Sequence, residues 1–251
     1  MGSKWGPATL VLACALVAGC LAQPASAAVV PMYEQPISFE WDRKDLDVLI
    51  VPPHHGQLLN GRSGTRLLGG RGAAELNPLA NSYIAALTQA IADWQKAIRT
   101  FGSRSLRQLK LNVYVLGRDV PPLSALQRPE ILFTWDETKL TILGVSTRTG
   151  DTPCVVSNSM LALNSFSAPD MYNIAGHEFG HCLGIDHATG SRGIQRDILF
   201  ATYNQPIGHE GNELRCMSNL NVRTLELVYD GRDSPASASI PASEYTKIRC
   251  G

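Results

Sequence analysis

His177-Glu178-Phe179-Gly180-His181-Cys182-Leu183-Gly184-Ile185-Asp186-His187 is the stretch on which the reading of this chain turns. It fills every fixed position of H-E-x-x-H-x-x-G-x-x-H, and it uses three of the six histidines of a 251-residue chain. On a helix, His177 and His181 are four residues apart and project from one face, one turn above the other. Both imidazoles can then reach one metal ion at the usual zinc–nitrogen distance of about 2.0–2.1 Å. Gly184 falls where the chain must leave that helix, and glycine tolerates the backbone conformation that such exits often need. The chain can then swing His187 back as a third ligand. Three neutral nitrogens leave zinc one open position, which is the arrangement of a catalytic site and not of a closed structural one. Glu178 follows the first ligand directly and can reach a water in that position.

This segment resembles the zinc helix of the metzincin endopeptidases, and of their matrixin-like group in particular. The close match covers His177 to His187; a looser one runs from about Asn81 to Tyr229. The resemblance implies hydrolysis of a peptide lying extended across a cleft, with zinc as cofactor, His177, His181 and His187 as its ligands and Glu178 as catalytic base. Ala188 follows the third histidine where matrixins carry Ser, which leaves the subfamily open. The family also places a methionine beneath the metal. Two segments compete for that place. Asp197-Ile198-Leu199-Phe200 resembles the family's Asp-Ile-Met-Tyr with Leu199 in the methionine's position, whereas Met217 runs straight into an expected helix. Spacing favours Leu199, and leucine fills a volume close to that of methionine.

The expected fold is α+β: a metzincin-like zincin domain with a mixed, mostly parallel sheet, a core helix, a zinc-binding helix and a C-terminal helix. Outside the motif, Ile84, Leu87, Ile91, Trp94 and Ile98 recur at helical spacing, with Pro78 and Asn81 at the start and Gly102 at the end. Leu109, Leu111, Val113 and Val115 alternate with polar residues as in a half-buried strand. Leu46 to Val51, Glu130 to Trp135, Leu140 to Ser146 and Cys154 to Leu163 are further strands, and Asn219 to Tyr229 is a helix. By the same resemblance, the strand before the zinc helix, Val155 to Leu163, is expected to be the edge on which substrate pairs. The Gly-rich stretch 54–72 reads as a surface loop, so His54, His55 and His209 are taken as loop histidines and not as ligands.

The ends are read as targeting and linker segments. Lys4 and the small, apolar run Ala8 to Ala18 form a signal too short to span a bilayer. Val17-Ala18-Gly19-Cys20 reads as a lipobox that would lipidate Cys20; Ala25-Ser26-Ala27 is the competing site for ordinary cleavage. Both imply export, either to a bacterial cell envelope or to the medium. The expected organisation is a signal peptide over 1–19, a tether over 20–40 that has room for a short propeptide, a catalytic domain over 41–230 and a tail over 231–251. With 22 basic and 22 acidic residues, the chain has no electrostatic case for nucleic acid or for an anionic membrane surface. The partners expected are a protein or peptide substrate and, through Cys20, a membrane. Of the six cysteines, Cys154, Cys182, Cys216 and Cys250 lie beyond the signal and the lipobox; in an exported chain they suggest disulfides, and we pair Cys154 with Cys182 and Cys216 with Cys250. Two rivals to an endopeptidase stand: a zinc-binding surface protein without proteolysis, and a zinc hydrolase with a non-protein substrate.

Overall fold

The computed structural model describes residues 30–52, 78–136, 144–147, 152–159, 167–190, 193–200, 214–230 and 236–248. The chain divides after Val30, and the elements below all belong to the unit Pro31–Gly251. Residues 1–29, the stretch 54–72 with His54 and His55, His209, and Cys250 lie outside the described residues.

The sheet forms from runs whose inward apolar side chains, among them Leu46, Val48, Leu111, Ile131, Phe133 and Val156, join one core. β2 (Asp45–Ile50), β3 (Lys110–Val115), β4 (Ile131–Asp136), β5 (Gly144–Thr147) and β6 (Cys154–Ser159) assemble in the order β3-β2-β4-β6-β5. β2 pairs in parallel with β3 and β4, and β4 with β6; β5 alone is antiparallel. Parallel neighbours require a crossover. The helix α1 (Pro78–Phe101) supplies the one between β2 and β3, and the short α2 (Leu123–Gln127) lies between β3 and β4. The result is mixed α+β with a largely parallel sheet. β6 is an interior strand, which corrects the expectation that Val155 to Leu163 forms the edge. The strand at that end of the sheet is β5, because the chain turns back after it and lays β6 between β5 and β4.

α1 presents Ile84, Leu87, Ile91, Trp94 and Ile98, all buried, to α3 (Ala168–Cys182) and to the sheet. Trp94 donates its indole N–H to the Gly176 carbonyl at 2.9 Å, so a fully buried polar atom is satisfied by the helix opposite. Gly180 permits that approach. A Cβ there would lie 2.9 Å from Leu199 Cδ2 and 3.0 Å from Trp94 Cζ2. The helix α4 (Asn219–Asp230) completes the core with Leu220, Val222, Leu225 and Val228.

Both ends of the expected domain are more ordered than their composition suggests. β1 (Met32–Pro36), placed within the tether, pairs antiparallel with β7 (Ser237–Pro241), placed within the tail. Tyr33 and Gln35 alternate inward on one strand, Ala238 and Ile240 on the other. The signal is weak because one inward residue is glutamine and another alanine, and the pairing joins positions some two hundred residues apart. Cys154 and Cys182 form the expected disulfide, tying the start of β6 to the end of α3 across 28 residues. A closed loop of that length restricts the unfolded chain by about 3–4 kcal/mol. Cys216 is also disulfide-bonded.

Candidate metal centre

α3 is launched by a capping box. The Ser167 hydroxyl accepts from the Asp170 N–H at 3.3 Å, and the Asp170 carboxylate accepts from the Ser167 N–H at 3.0 Å. The helix thus begins at a defined residue and carries His177, Glu178 and His181 into the interior at a fixed rotation. It ends at Cys182, and Gly184 turns the chain with a φ of +101°. A side chain at 184 would be strained there, and its Cβ would lie 2.4 Å from the Phe39 carbonyl oxygen. The returning strand is pinned by the Asp186 N–H to the Pro36 carbonyl at 2.9 Å and by the Ala188 N–H to the Leu199 carbonyl at 2.8 Å. His187 stands between these two anchors.

The three expected ligands meet. His181 Nε2 lies 3.1 Å from His177 Nε2 and 3.2 Å from His187 Nε2, and the third separation is 3.2 Å. The other ring nitrogens point outward to acceptors: His177 Nδ1 to the Ile198 carbonyl at 2.7 Å, His181 Nδ1 to the Ile185 carbonyl at 2.9 Å, and His187 Nδ1 to the Asp186 carboxylate at a longer 3.5 Å. A neutral imidazole that donates from Nδ1 carries a lone pair on Nε2. Three lone pairs converging at this range repel one another unless a cation lies among them. Nitrogens about 2.05 Å from a tetrahedral zinc are about 3.3 Å apart, close to the separations found here. The donor set therefore fits a divalent, nitrogen-seeking ion. These three residues are also the group of metal-binding character found among the described residues.

The electrostatics agree with the geometry. Burial, reinforced by the neighbouring His181, pulls His177 well below the usual imidazole range, and burial lowers His181 as well. Both rings stay neutral at neutral pH, as metal ligands must. His177 is buried, whereas the His187 side chain is 41% exposed, so the cluster is open to solvent on one flank.

Glu178 is 8% exposed. Its charge reaches Tyr83 of α1, which is bonded in turn to Asn158 of β6, two buried residues not anticipated from the sequence. The Tyr83 hydroxyl donates to Asn158 Oδ1 at 2.7 Å, and burial, with the Glu178 charge adding to it, pushes the phenol far above its usual range. A tyrosine and an asparagine without a motif around them gave no signal that they would end up together.

Leu199, not Met217, lies in the turn beside the cluster. Its side chain packs against Gly180 of α3, and the preceding carbonyl, Ile198, is the one that orients His177. Met217 is buried elsewhere, in a cavity with Asp93, Lys96, Ala97, Thr100 and Ile248. Leu199→Met is accordingly expected to leave zinc affinity within about two-fold, since the two residues have similar volumes. Leu199→Gln is expected to lower zinc affinity, while Met217→Gln lowers the melting temperature and leaves affinity alone. Zinc titration against a chelating competitor, beside thermal melts, checks this; a larger affinity loss at 217 than at 199 contradicts it.

No family model matches the chain, and no curated protein matches it. Among solved structures, a chain described as "GM1 bound form of the ECX AB5 holotoxin" aligns with 79% of this chain and 88% of its own length, at 12% identity and a TM-score of 0.41. A likeness that slight has no bearing on function.

Proposed function

We propose that this chain is a zinc-dependent endopeptidase with a metzincin-like frame. The observation that carries the reading is the convergence of the Nε2 atoms of His177, His181 and His187 within 3.2 Å of one another, with the carboxylate-bearing Glu178 next to the first ligand on the same helix. When bound, zinc would supply Lewis acidity to a water and to the carbonyl oxygen under attack.

The chain's own residues account for the remaining steps. The outward hydrogen bonds of His177 and His181 hold those two imidazoles in the Nδ1–H tautomer, which leaves their Nε2 lone pairs facing the site. Glu178 accepts a proton from the attacking water at a carboxylate oxygen. It returns that proton to the amide nitrogen as the carbon–nitrogen bond breaks, which leaves a new carboxyl terminus and a free amine. β5 closes its end of the described sheet and lies against α3, so an extended peptide added antiparallel to β5 would run alongside the helix that bears Glu178. Main-chain pairing of that kind accepts many sequences, which suits an endopeptidase.

Incubation of the zinc-loaded chain with a denatured protein tests the proposal. Internal cleavage products are expected, abolished by a zinc chelator and restored by added zinc. A zinc-loaded chain that leaves the denatured protein intact would overturn the proteolytic reading and favour a zinc-binding protein without that activity.

A further inference from the structure

Behind the histidines lies a buried polar network. Asp197 is fully buried, yet its carboxylate accepts from the Leu199 N–H at 2.9 Å, Asn221 Nδ2 at 3.1 Å and the Tyr245 hydroxyl at 3.0 Å. Gln35 of β1 is likewise fully buried. Its Oε1 accepts from Asn221 Nδ2 and from the Thr224 hydroxyl, both at 3.1 Å, and its Nε2 donates to the Asp186 carbonyl at 2.8 Å. Asn221 thus joins Gln35 to Asp197.

Both ends of this chain of bonds terminate on the metal centre. The turn that Asp197 closes offers the Ile198 carbonyl to His177 Nδ1 and the Leu199 carbonyl to the Ala188 N–H, one residue after His187. The Gln35 amide holds the carbonyl of Asp186, one residue before His187. Burying a carboxylate and an amide is costly unless every polar atom is paired. A polar network placed where an apolar core would serve stability as well is explained if it fixes geometry.

We propose that Asp197, with Asn221 and Gln35, is the positioning brace of the three-histidine site: it sets the distance between His177 and His187 before any metal binds. The inference rests on the metal-centre reading above. It also gives the N-terminal strand a role, because β1 supplies Gln35, so any processing of the N-terminal segment that retains the site must stop short of Met32.

Zinc affinity, measured by competition with a chromophoric chelator on folded protein, tests the brace independently of catalysis. Asp197→Ala is expected to weaken zinc binding about 10–100-fold, the usual cost of removing a group that orients a ligand. Asp197→Asn is expected to recover most of it: its amide oxygen still accepts from the Leu199 N–H, and the Tyr245 hydroxyl can turn to accept from its NH2. Leu106→Ala, in a fully buried site away from the network, is the control; it should lower the melting temperature with affinity unchanged. Should Asp197→Ala fail to fold, Gln35→Leu decides, with a loss of about ten-fold expected. Affinity within two-fold of the parent in the deciding variant, or an equal loss in Leu106→Ala, overturns the brace. A parent chain that takes up no zinc overturns the metal centre itself, and the brace with it.

Discussion

His181→Ala yields a folded chain that no longer holds stoichiometric zinc after dialysis against a weak chelator. This is the largest effect expected of any single substitution. The Nε2 of His181 lies 3.1 Å from that of His177 and 3.2 Å from that of His187, so its loss leaves two of the three converging nitrogens. Zinc bound by four protein ligands is held by roughly 10–16 kcal/mol, or about 3 kcal/mol per ligand. Losing one should therefore weaken binding on the order of 10²-fold or more. The fold should survive. His181 is only part-buried, and the Ile185 carbonyl that it leaves unpaired is within reach of water entering the vacated space. Elemental analysis of the dialysed protein, beside its circular dichroism, reads the outcome. Zinc retained at one per chain in a folded His181→Ala protein would remove the three-histidine assignment.

Glu178→Gln separates chemistry from metal binding. The amide matches the carboxylate in shape and sits in the same buried place on α3, so zinc affinity and melting temperature should stay close to those of the parent. It cannot take a proton from water at neutral pH. Hydrolysis of a denatured protein should fall about 10²–10⁴-fold, the range for loss of a general base. The Tyr83 hydroxyl is no substitute: even with the Glu178 charge gone, burial holds its proton firmly, and it is committed to Asn158. Activity within a few-fold of the parent, at unchanged zinc content, would mean that another group carries the proton.

Read along the chain, local pattern settled a good deal. Helical spacing from Ile84 to Ile98 marked α1 and alternation marked β3; β2 and β4 were also expected as strands, and the motif placed three histidines and a glutamate on one helix and its exit. Those features are legible because each depends on residues within a few turns of one another, where the periods of helix and strand dictate direction. The pairing of Cys154 with Cys182, expected from their places on strand and helix, also formed.

What local pattern left undecided was everything carried by contacts between distant segments. Whether β5 or β6 ends the sheet depends on which partner each finds, and both are short strands of similar character. β1 and β7 were invisible because each is half-apolar at best and is held by partners distant in sequence, the other strand and α4 among them. Nothing local marks Gln35, Asn221 and Asp197 as partners of one another. They are buried because the fold closes over them and gives each polar atom a partner, and a sequence does not display that pairing until its two ends have met. The three histidines that meet were thus written in eleven consecutive residues, while the contacts that bring their nitrogens to a common point belong to the tertiary structure alone.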